Sequence, residues 1–213
     1  KVIFISKFAE NFITNLHKNI RNKSVIIHHG VNDIFYKKIK IHNRPTFLPK
    51  EKYLLYVSRL ELYKRQYEVI LAFNKILKEI NYDLKLLLVG PSNNNYGKII
   101  KKLIRKLNLQ DKVLILGNIE HNILPAYYQF AEINLFCSEI ENCPNILLEA
   151  LASNRPIVCS KKSLSKAKIN LMDEKISQMP SWSHIRAFKK SAADQGRYNL
   201  GFNTPTRSPC SAK

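Results

Sequence analysis

Two carboxylates and two cations carry the chemistry this chain can do. Glu141 and Glu149 stand eight positions apart, and between them Pro144 opens the apolar stretch Asn-Ile-Leu-Leu-Glu-Ala-Leu-Ala-Ser, Asn145 to Ser153. Proline is favoured in the first turn of a helix, where its missing N–H is no loss. The stretch therefore predicts a helix. Ile146, Leu147, Leu148, Ala150, Leu151 and Ala152 leave it no solvent face, so it is expected to be buried. A carboxylate at Glu149 inside such a helix needs a partner, because an unpaired buried charge is costly. The first-turn N–H groups of Ile146 and Leu147 are oriented to receive an anion. Helical side chains lean toward the N-terminus, so Glu149 reaches back to the same place. There it can accept both hydroxyls of a ribose. Each acid also has an ordinary reading: a structural ion pair for Glu149, an exposed loop acid beside Glu139 for Glu141.

The cations are Arg59 and Lys64, in Val-Ser-Arg-Leu-Glu-Leu-Tyr-Lys-Arg-Gln. Arginine offers a planar fork to phosphate oxygens and lysine a point charge. Taken alone, both are ordinary surface cations of a lysine-rich chain. Placed at the same edge as an anion-ready helix, they read as a phosphate site.

The elements that must position these residues follow an alternating pattern. Val2–Ser6 reads as a short strand, Ala9–Lys18 as a helix and Ser24–His28 as a second strand, with Gly30 at the turn after it. Residues 37–52 are polar and basic with two prolines, which suits a linker. Tyr53–Ser58, Leu84–Val89, Val113–Leu116, Ile133–Cys137 and Pro156–Cys159 are near-continuous apolar runs, as expected of strands covered on both faces. Between them lie helical patterns. One has an apolar face of Val69, Ile70, Phe73, Ile76, Leu77 and Ile80. The next has Ile99, Ile100, Leu103, Ile104 and Leu107, and a third spans Asn122–Phe130. Five strands separated by helices predict an α/β fold, a Rossmann-like doubly wound parallel sheet. Ligands of such sheets bind at the carboxyl ends of the strands. The loops after Ser58, Val89, Leu116, Cys137 and Cys159 are thus expected to line one crevice.

The chain has 213 residues and a formal net charge of +19. Such a balance invites a nucleic-acid or anionic-membrane partner. The cations are mostly lysines in a chain also rich in Asn and Ile, and arginine-rich, zinc-finger and aromatic RNA-reading motifs are all lacking, so no nucleic acid is expected as partner. Lys98, Lys101, Lys102, Arg105 and Lys106 form a basic stripe, read first as a solvated face and second as an interaction surface. Cys137, Cys143, Cys159 and Cys210 show neither paired metal-site spacing nor a disulfide framework, which suits reduced thiols. The adjacent His28 and His29 point to opposite faces of an extended segment, poor geometry for a shared metal, and no metal site is expected. No run is long enough to cross a bilayer. A cytoplasmic protein is expected, with peripheral contact at the inner face of an anionic membrane as an extension of that reading. The first residue is not methionine, which suggests a fragment.

Together these motifs resemble the family 4 glycosyltransferases (glycosyl transferases group 1). Ser138–Val158 carries that family's two glutamates separated by seven residues, then its small-residue turn and Pro-Val-type strand. Tyr53–Lys64 resembles its strand, Ser-Arg-Leu and downstream lysine. Leu86–Gly90 and Val113–Gly117 resemble two strand–glycine units, and Phe4–Gly30 resembles the end of its first domain. The resemblance covers roughly residues 2–160, and its motifs occur in one order.

The resemblance implies the C-terminal, donor-binding half of a GT-B fold and a retaining sugar transfer without a metal or other cofactor. The co-substrate would be a UDP- or GDP-linked sugar, and the acceptor a glycan or lipid-linked molecule in cell-surface polysaccharide or lipopolysaccharide synthesis. Arg59 and Lys64 would hold the diphosphate, with Glu141 beside the donor sugar and Glu149 on the ribose. Gly117, Asn118 and Ile119 would read the base. Asn142, Cys143, Pro144, Asn145, Ile146, Leu147 and Gly30 complete the substrate-binding set. Two departures stand out: Asn142 and Asn154 occupy positions where the family usually has glycine, and Asn tolerates left-handed backbone best after Gly. The expected division is a remnant of the N-terminal domain over 1–36, a linker over 37–52, a truncated nucleotide-sugar-binding domain over 53–163, and an atypical tail over 164–213. That tail lacks the family's glycine-rich phosphate loop and is expected to be disordered, the product of a frameshift, or a divergent ending. As a fragment the chain is expected to be inactive alone. The alternatives are a non-catalytic nucleotide-sugar-binding module, a GT-B epimerase and, last, a lysine-rich RNA-binding protein.

Overall fold

The computed structural model describes residues 1–141 and 144–160. Asn142, Cys143 and the whole stretch expected as an atypical tail lie outside the described residues.

A two-stranded parallel sheet comes first. It pairs β1 (Val2–Phe4) with β2 (Ser24–Ile26), and α1 (Lys7–Leu16) runs between them. Both strands are shorter than expected. The helix starts earlier than its apolar pattern suggests because Ser6 caps it, its Oγ accepting the Ala9 N–H at 3.1 Å. Ile3, Phe8, Phe12, Leu16, Val25 and Ile27 are all exposed on this unit.

The main sheet has five parallel strands in the order β5-β4-β3-β6-β7. These are β3 (Lys52–Val57), β4 (Leu84–Val89), β5 (Val113–Gly117), β6 (Ile133–Phe136) and β7 (Ile157–Cys159). The connecting helices are α2 (Gln66–Ile76), α3 (Asn95–Lys106), α4 (Leu124–Phe130) and α5 (Asn145–Ala152). Side-chain alternation along β3 and β4 splits the core in two. Leu54, Tyr56, Leu86 and Leu88 pack with α2 and α3 on one face. Tyr53, Leu55, Val57, Leu87 and Val89 pack with α4 and Ala150 of α5 on the other. With both faces covered, the strands have no room for polar alternation, which is why they read as unbroken apolar runs.

Residues 37–52 are irregular apart from a single turn at Ile41–Asn43 and the start of β3, but they do not hang free. Phe35, just before this stretch, and Leu48, within it, are buried in the α4 core. The Gln129 side chain accepts the Ile39 N–H at 2.9 Å and donates to the Lys37 carbonyl at 2.7 Å.

Three expectations about helix faces need correction. Ile76 and Ile99 are exposed. Ile76 is the last residue of α2, and in α3 the buried line runs Tyr96, Ile100, Leu103 and Ile104, which leaves Ile99 one step off the face. The α5 helix is not buried all round: Leu147 and Ala150 are, whereas Ile146, Leu148, Leu151 and Ala152 are half-buried. It lies over the β6–β7 end of the sheet, where among the described residues α4 is its helical neighbour. Among the described residues no helix is long and apolar enough to cross a membrane.

Candidate active site

From β3 the chain steps outward to β4 and β5, then returns to the other side of β3 for β6 and β7. Strand order therefore reverses between β3 and β6. Loops leaving the carboxyl ends of these two strands part in opposite directions and leave a crevice, the usual ligand site of such sheets.

The loop after β3 is held from beneath. Gln66, buried at the start of α2, donates from Nε2 to Ser58 Oγ at 2.8 Å and to the Arg59 carbonyl at 2.9 Å. Leu60 is fully buried; its N–H bonds the Pro91 carbonyl at 2.9 Å and its carbonyl accepts Asn94 Nδ2 at 2.7 Å. The Tyr56 hydroxyl, whose ionisation burial pushes up, donates to the Lys64 carbonyl at 2.6 Å. Gly90 sits so close to this loop, at φ +137°, that an added Cβ would overlap the Ser58 carbonyl oxygen. Only glycine fits there.

This loop presents Lys64 to Glu141. Lys64 Nζ donates to Glu141 Oε1, with the two side chains 9% and 14% exposed. Lys64 also lies 5.1 Å from the Tyr63 ring centroid. A charge so shielded is tolerable only when paired, and here one loop supplies the cation and the other the anion. The neighbouring residues repeat the link: the Glu139 N–H donates to the Tyr63 carbonyl at 2.8 Å, and Arg65 pairs with Glu139 at 3.1 Å. Arg59 is different. Its side chain is 62% exposed, with Nε 3.4 Å from Glu61.

Glu149 is the centre of a second cluster. Its side chain is 13% exposed, and its carboxylate lies 3.3 Å from the Tyr128 hydroxyl and 3.4 Å from His121 Nε2. The same hydroxyl is 3.4 Å from the Ile146 carbonyl, so Glu149 does lean back over the first turn of α5. Burial, reinforced by the carboxylate beside it, keeps Tyr128 protonated far above the ordinary tyrosine range, and it remains a donor. His121 packs edge-on against Phe35, ring centroids 4.9 Å apart.

The remaining expected residues are distributed as follows. Pro144 occupies the cap of α5, one place before its first turn, with φ −78° and ψ 110°. Its carbonyl accepts the Leu147 N–H at 3.0 Å, so one of the two amides expected to meet an anion already has a protein partner. Asn145 is exposed and Ile146 half-buried. Gly117 closes β5 in left-handed backbone, φ +68°, and its carbonyl accepts the Gly90 N–H at 2.7 Å. Asn118 is exposed beyond it, while Ile119 packs on the α4 core. Gly30 lies in an exposed turn after β2, where an added Cβ would meet nothing within 4 Å. Asn154 does take left-handed backbone, φ +59°. Among the described residues no group of three or more His, Cys, Asp or Glu side chains could hold a metal ion.

Sequence reasoning missed His121 and Tyr128 as neighbours of Glu149. His121 lies in the loop after Gly117, so its place at the crevice edge was available as a signal. Tyr128 reads as a core aromatic of α4, and only its hydroxyl gives it a role. Also missed was the directness of the Lys64–Glu141 contact.

Known proteins place this arrangement. The chain is 34% identical over 159 residues to N-acetyl-alpha-D-glucosaminyl L-malate synthase of Bacillus anthracis, covering 72% of this chain and 40% of that protein. It is 24% identical over 161 residues to the capsular polysaccharide biosynthesis glycosyltransferase CapH of Staphylococcus aureus, covering 75% and 42%. The chain thus spans about two fifths of the length of these relatives. Among solved structures it superposes on Anabaena HepE in complex with UDP and glucose with a TM-score of 0.61 at 19% identity, covering 75% of this chain and 44% of that one. That likeness is one of fold, and it makes the five-stranded sheet one Rossmann-like half of a GT-B architecture. Residues 37–175 match the family model described as glycosyl transferases group 1, and the chain belongs to that family.

Proposed function

We propose that this chain binds the donor in a retaining glycosyltransferase that moves a sugar from a UDP- or GDP-linked donor to a glycan or lipid-linked acceptor in cell-surface polysaccharide synthesis. The observation that carries the reading is the shielded Lys64–Glu141 contact at the switch point between β3 and β6. A lysine this shielded needs an anion. Glu141 supplies it, and a diphosphate entering the crevice would take over that role and also meet the exposed Arg59 fork. Glu141, released, would face the donor sugar. Glu149, already held by Tyr128 and His121, would accept the ribose hydroxyls, and the backbone from Gly117 to Ile119 would border the base.

The chemistry follows from charge. As the sugar–phosphate bond breaks, negative charge grows on the departing diphosphate. Lys64 and Arg59 would bring positive charge to the place where it grows, so their attraction is stronger in the transition state than in the ground state. The relatives named above are an N-acetyl-alpha-D-glucosaminyl L-malate synthase and a capsular polysaccharide biosynthesis glycosyltransferase, names that support a sugar donor and a glycan product. Exposed Lys98, Lys101, Lys102, Arg105 and Lys106 on α3 suit an anionic membrane face as the place of work.

Calorimetry of the chain with UDP, GDP and their glucose and mannose conjugates tests the donor reading. One nucleotide is expected to bind in the wild type and to lose most of its affinity in Lys64→Ala. Failure of all four to bind, or equal binding by the variant, would remove the assignment.

A further inference from the structure

We infer that Arg65 is a positioning residue that staples the loop after β6 to the start of α2 and so fixes where Glu141 stands relative to Lys64. The inference rests on the reading of Lys64 and Glu141 given above. Three observations carry it. Arg65 is a non-glycine residue in left-handed backbone, φ +63° and ψ +30°, at the junction between the Leu62–Lys64 turn and α2. A long side chain there is strained, and glycine would relieve the strain. What the arginine does in that position is reach two carboxylates: its guanidinium meets Glu68 of α2 at 3.0 Å and Glu139 of the β6 loop at 3.1 Å. Finally, the Glu139 N–H donates to the Tyr63 carbonyl at 2.8 Å, so the same two loops are also joined through backbone.

These links bracket the functional pair. Lys64 lies between Tyr63 and Arg65, and Glu141 is two residues beyond Glu139, so the Lys64–Glu141 contact sits beside a two-point attachment. When a diphosphate draws Lys64 away, the contact between Lys64 and Glu141 is lost but the attachment remains. Glu141 then keeps its place at the sugar instead of moving off with its loop. Arg65 needs no contact with the ligand for this. It acts through Glu139, and a bidentate fork that spans two carboxylates is a role lysine fills poorly.

Hydrogen exchange of the 137–141 backbone, followed by mass spectrometry, tests the staple without any need for activity. Arg65→Gly relieves the strain and removes the fork; Arg65→Asn tolerates the left-handed backbone and has no reach. Both are expected to fold as the wild type does and to exchange this segment about three to five times faster, the scale of a half-exposed ion pair. Arg65→Lys is expected to lie between. Glu139→Gln should speed exchange similarly, and combining it with Arg65→Gly should add almost nothing further. A second arm reads ligand: in Arg65→Gly, UDP or GDP affinity should hold while the extra affinity for the sugar conjugate falls. Unchanged exchange in both glycine and asparagine variants, or additive effects of Arg65→Gly and Glu139→Gln, would overturn the staple. If neither nucleotide binds the wild-type chain, the donor reading fails, and the exchange arm still decides on Arg65.

Discussion

The two ends of the crevice hold their acids in opposite ways. Glu141 is locked to a shielded lysine supplied by a different loop, in a pair 9% and 14% exposed. Glu149 is equally shielded at 13%, yet among the described residues its side-chain partners are at longer range, 3.3 and 3.4 Å: a neutral tyrosine and a histidine that is itself 56% exposed. The difference teaches that one sheet edge can shield two acids by two different means. The end proposed for the phosphate stores full charges by pairing them with each other and, on that proposal, would exchange partners when ligand arrives. The end proposed for the ribose keeps its acceptor oriented by longer bonds to Tyr128 and His121 and, on that proposal, needs no exchange.

The strongest way to break this contrast is Lys64→Ala. It leaves Glu141 shielded without a cation, and removing one partner of a buried pair is among the costlier substitutions. Because this pair keeps some solvent contact, a loss of about 2–3 kcal/mol of stability is expected, below the full buried-pair figure. Chemical denaturation reads it. Nucleotide affinity should fall by roughly ten- to a hundredfold, the scale of a charged hydrogen bond. If Lys64→Ala is as stable as wild type, the pair is not what holds the two loops.

Glu149→Gln sharpens the other side. It keeps shape and removes charge, and no cation is left stranded. Stability should stay within about 0.5 kcal/mol, the ordinary range for a substitution that leaves no buried charge unpaired. Affinity for the nucleoside diphosphate should drop roughly tenfold, since an amide accepts only through one oxygen. Calorimetry decides it, and unchanged affinity in folded Glu149→Gln removes the ribose role.

Why one half of this contrast was legible in the sequence and the other was not has a physical answer. β4 was legible to the residue, Leu84–Val89, because a strand covered on both faces must be apolar throughout. Glu141, Glu149, Arg59 and Lys64 were legible as candidates because, although each alone has an ordinary reading, together they fall beside an anion-ready helix at the carboxyl edge of a parallel sheet. Partnerships were not. Lys64 and Glu141 are 77 positions apart and His121 and Glu149 are 28 apart, and only the crossing from β5 back to β6 brings them together. Burial of α5 was over-read for the same reason: an apolar helix states what it could bury, not what neighbour stands beside it. Arg65 was silent because nothing in its identity announces left-handed backbone.

His121→Ala should be the mildest change at the crevice. His121 is mostly exposed and its bond to Glu149 is long, so its loss is expected to alter nucleotide affinity by about threefold or less. A larger effect would mean that the ribose end depends on charge as the phosphate end does, and the contrast between the two would shrink.

The smallest effect lies at the carboxyl ends of β6 and β7. Burial pushes the Cys137 thiol up to about 11 and the Cys159 thiol up to about 12. The folded protein therefore favours the neutral thiols, while an unfolded chain begins to ionise near the ordinary value of 9.0. Below that value these groups leave stability unaffected by pH; as pH rises past it, only the unfolded state loses protons, and stability falls. Since the thiolate is the nucleophile, alkylation of Cys137 and Cys159 at pH 8.5 should run at least about tenfold slower in the native chain than in denaturant. Peptide-resolved labelling of Lys64→Ala then relates these strand ends to the site. The Tyr56 hydroxyl anchors the Lys64 carbonyl through backbone, so it survives loss of the lysine head group, and protection of both thiols should persist. Protection lost in that variant would mean that the salt bridge, and not the packed strands, keeps the sheet edge closed.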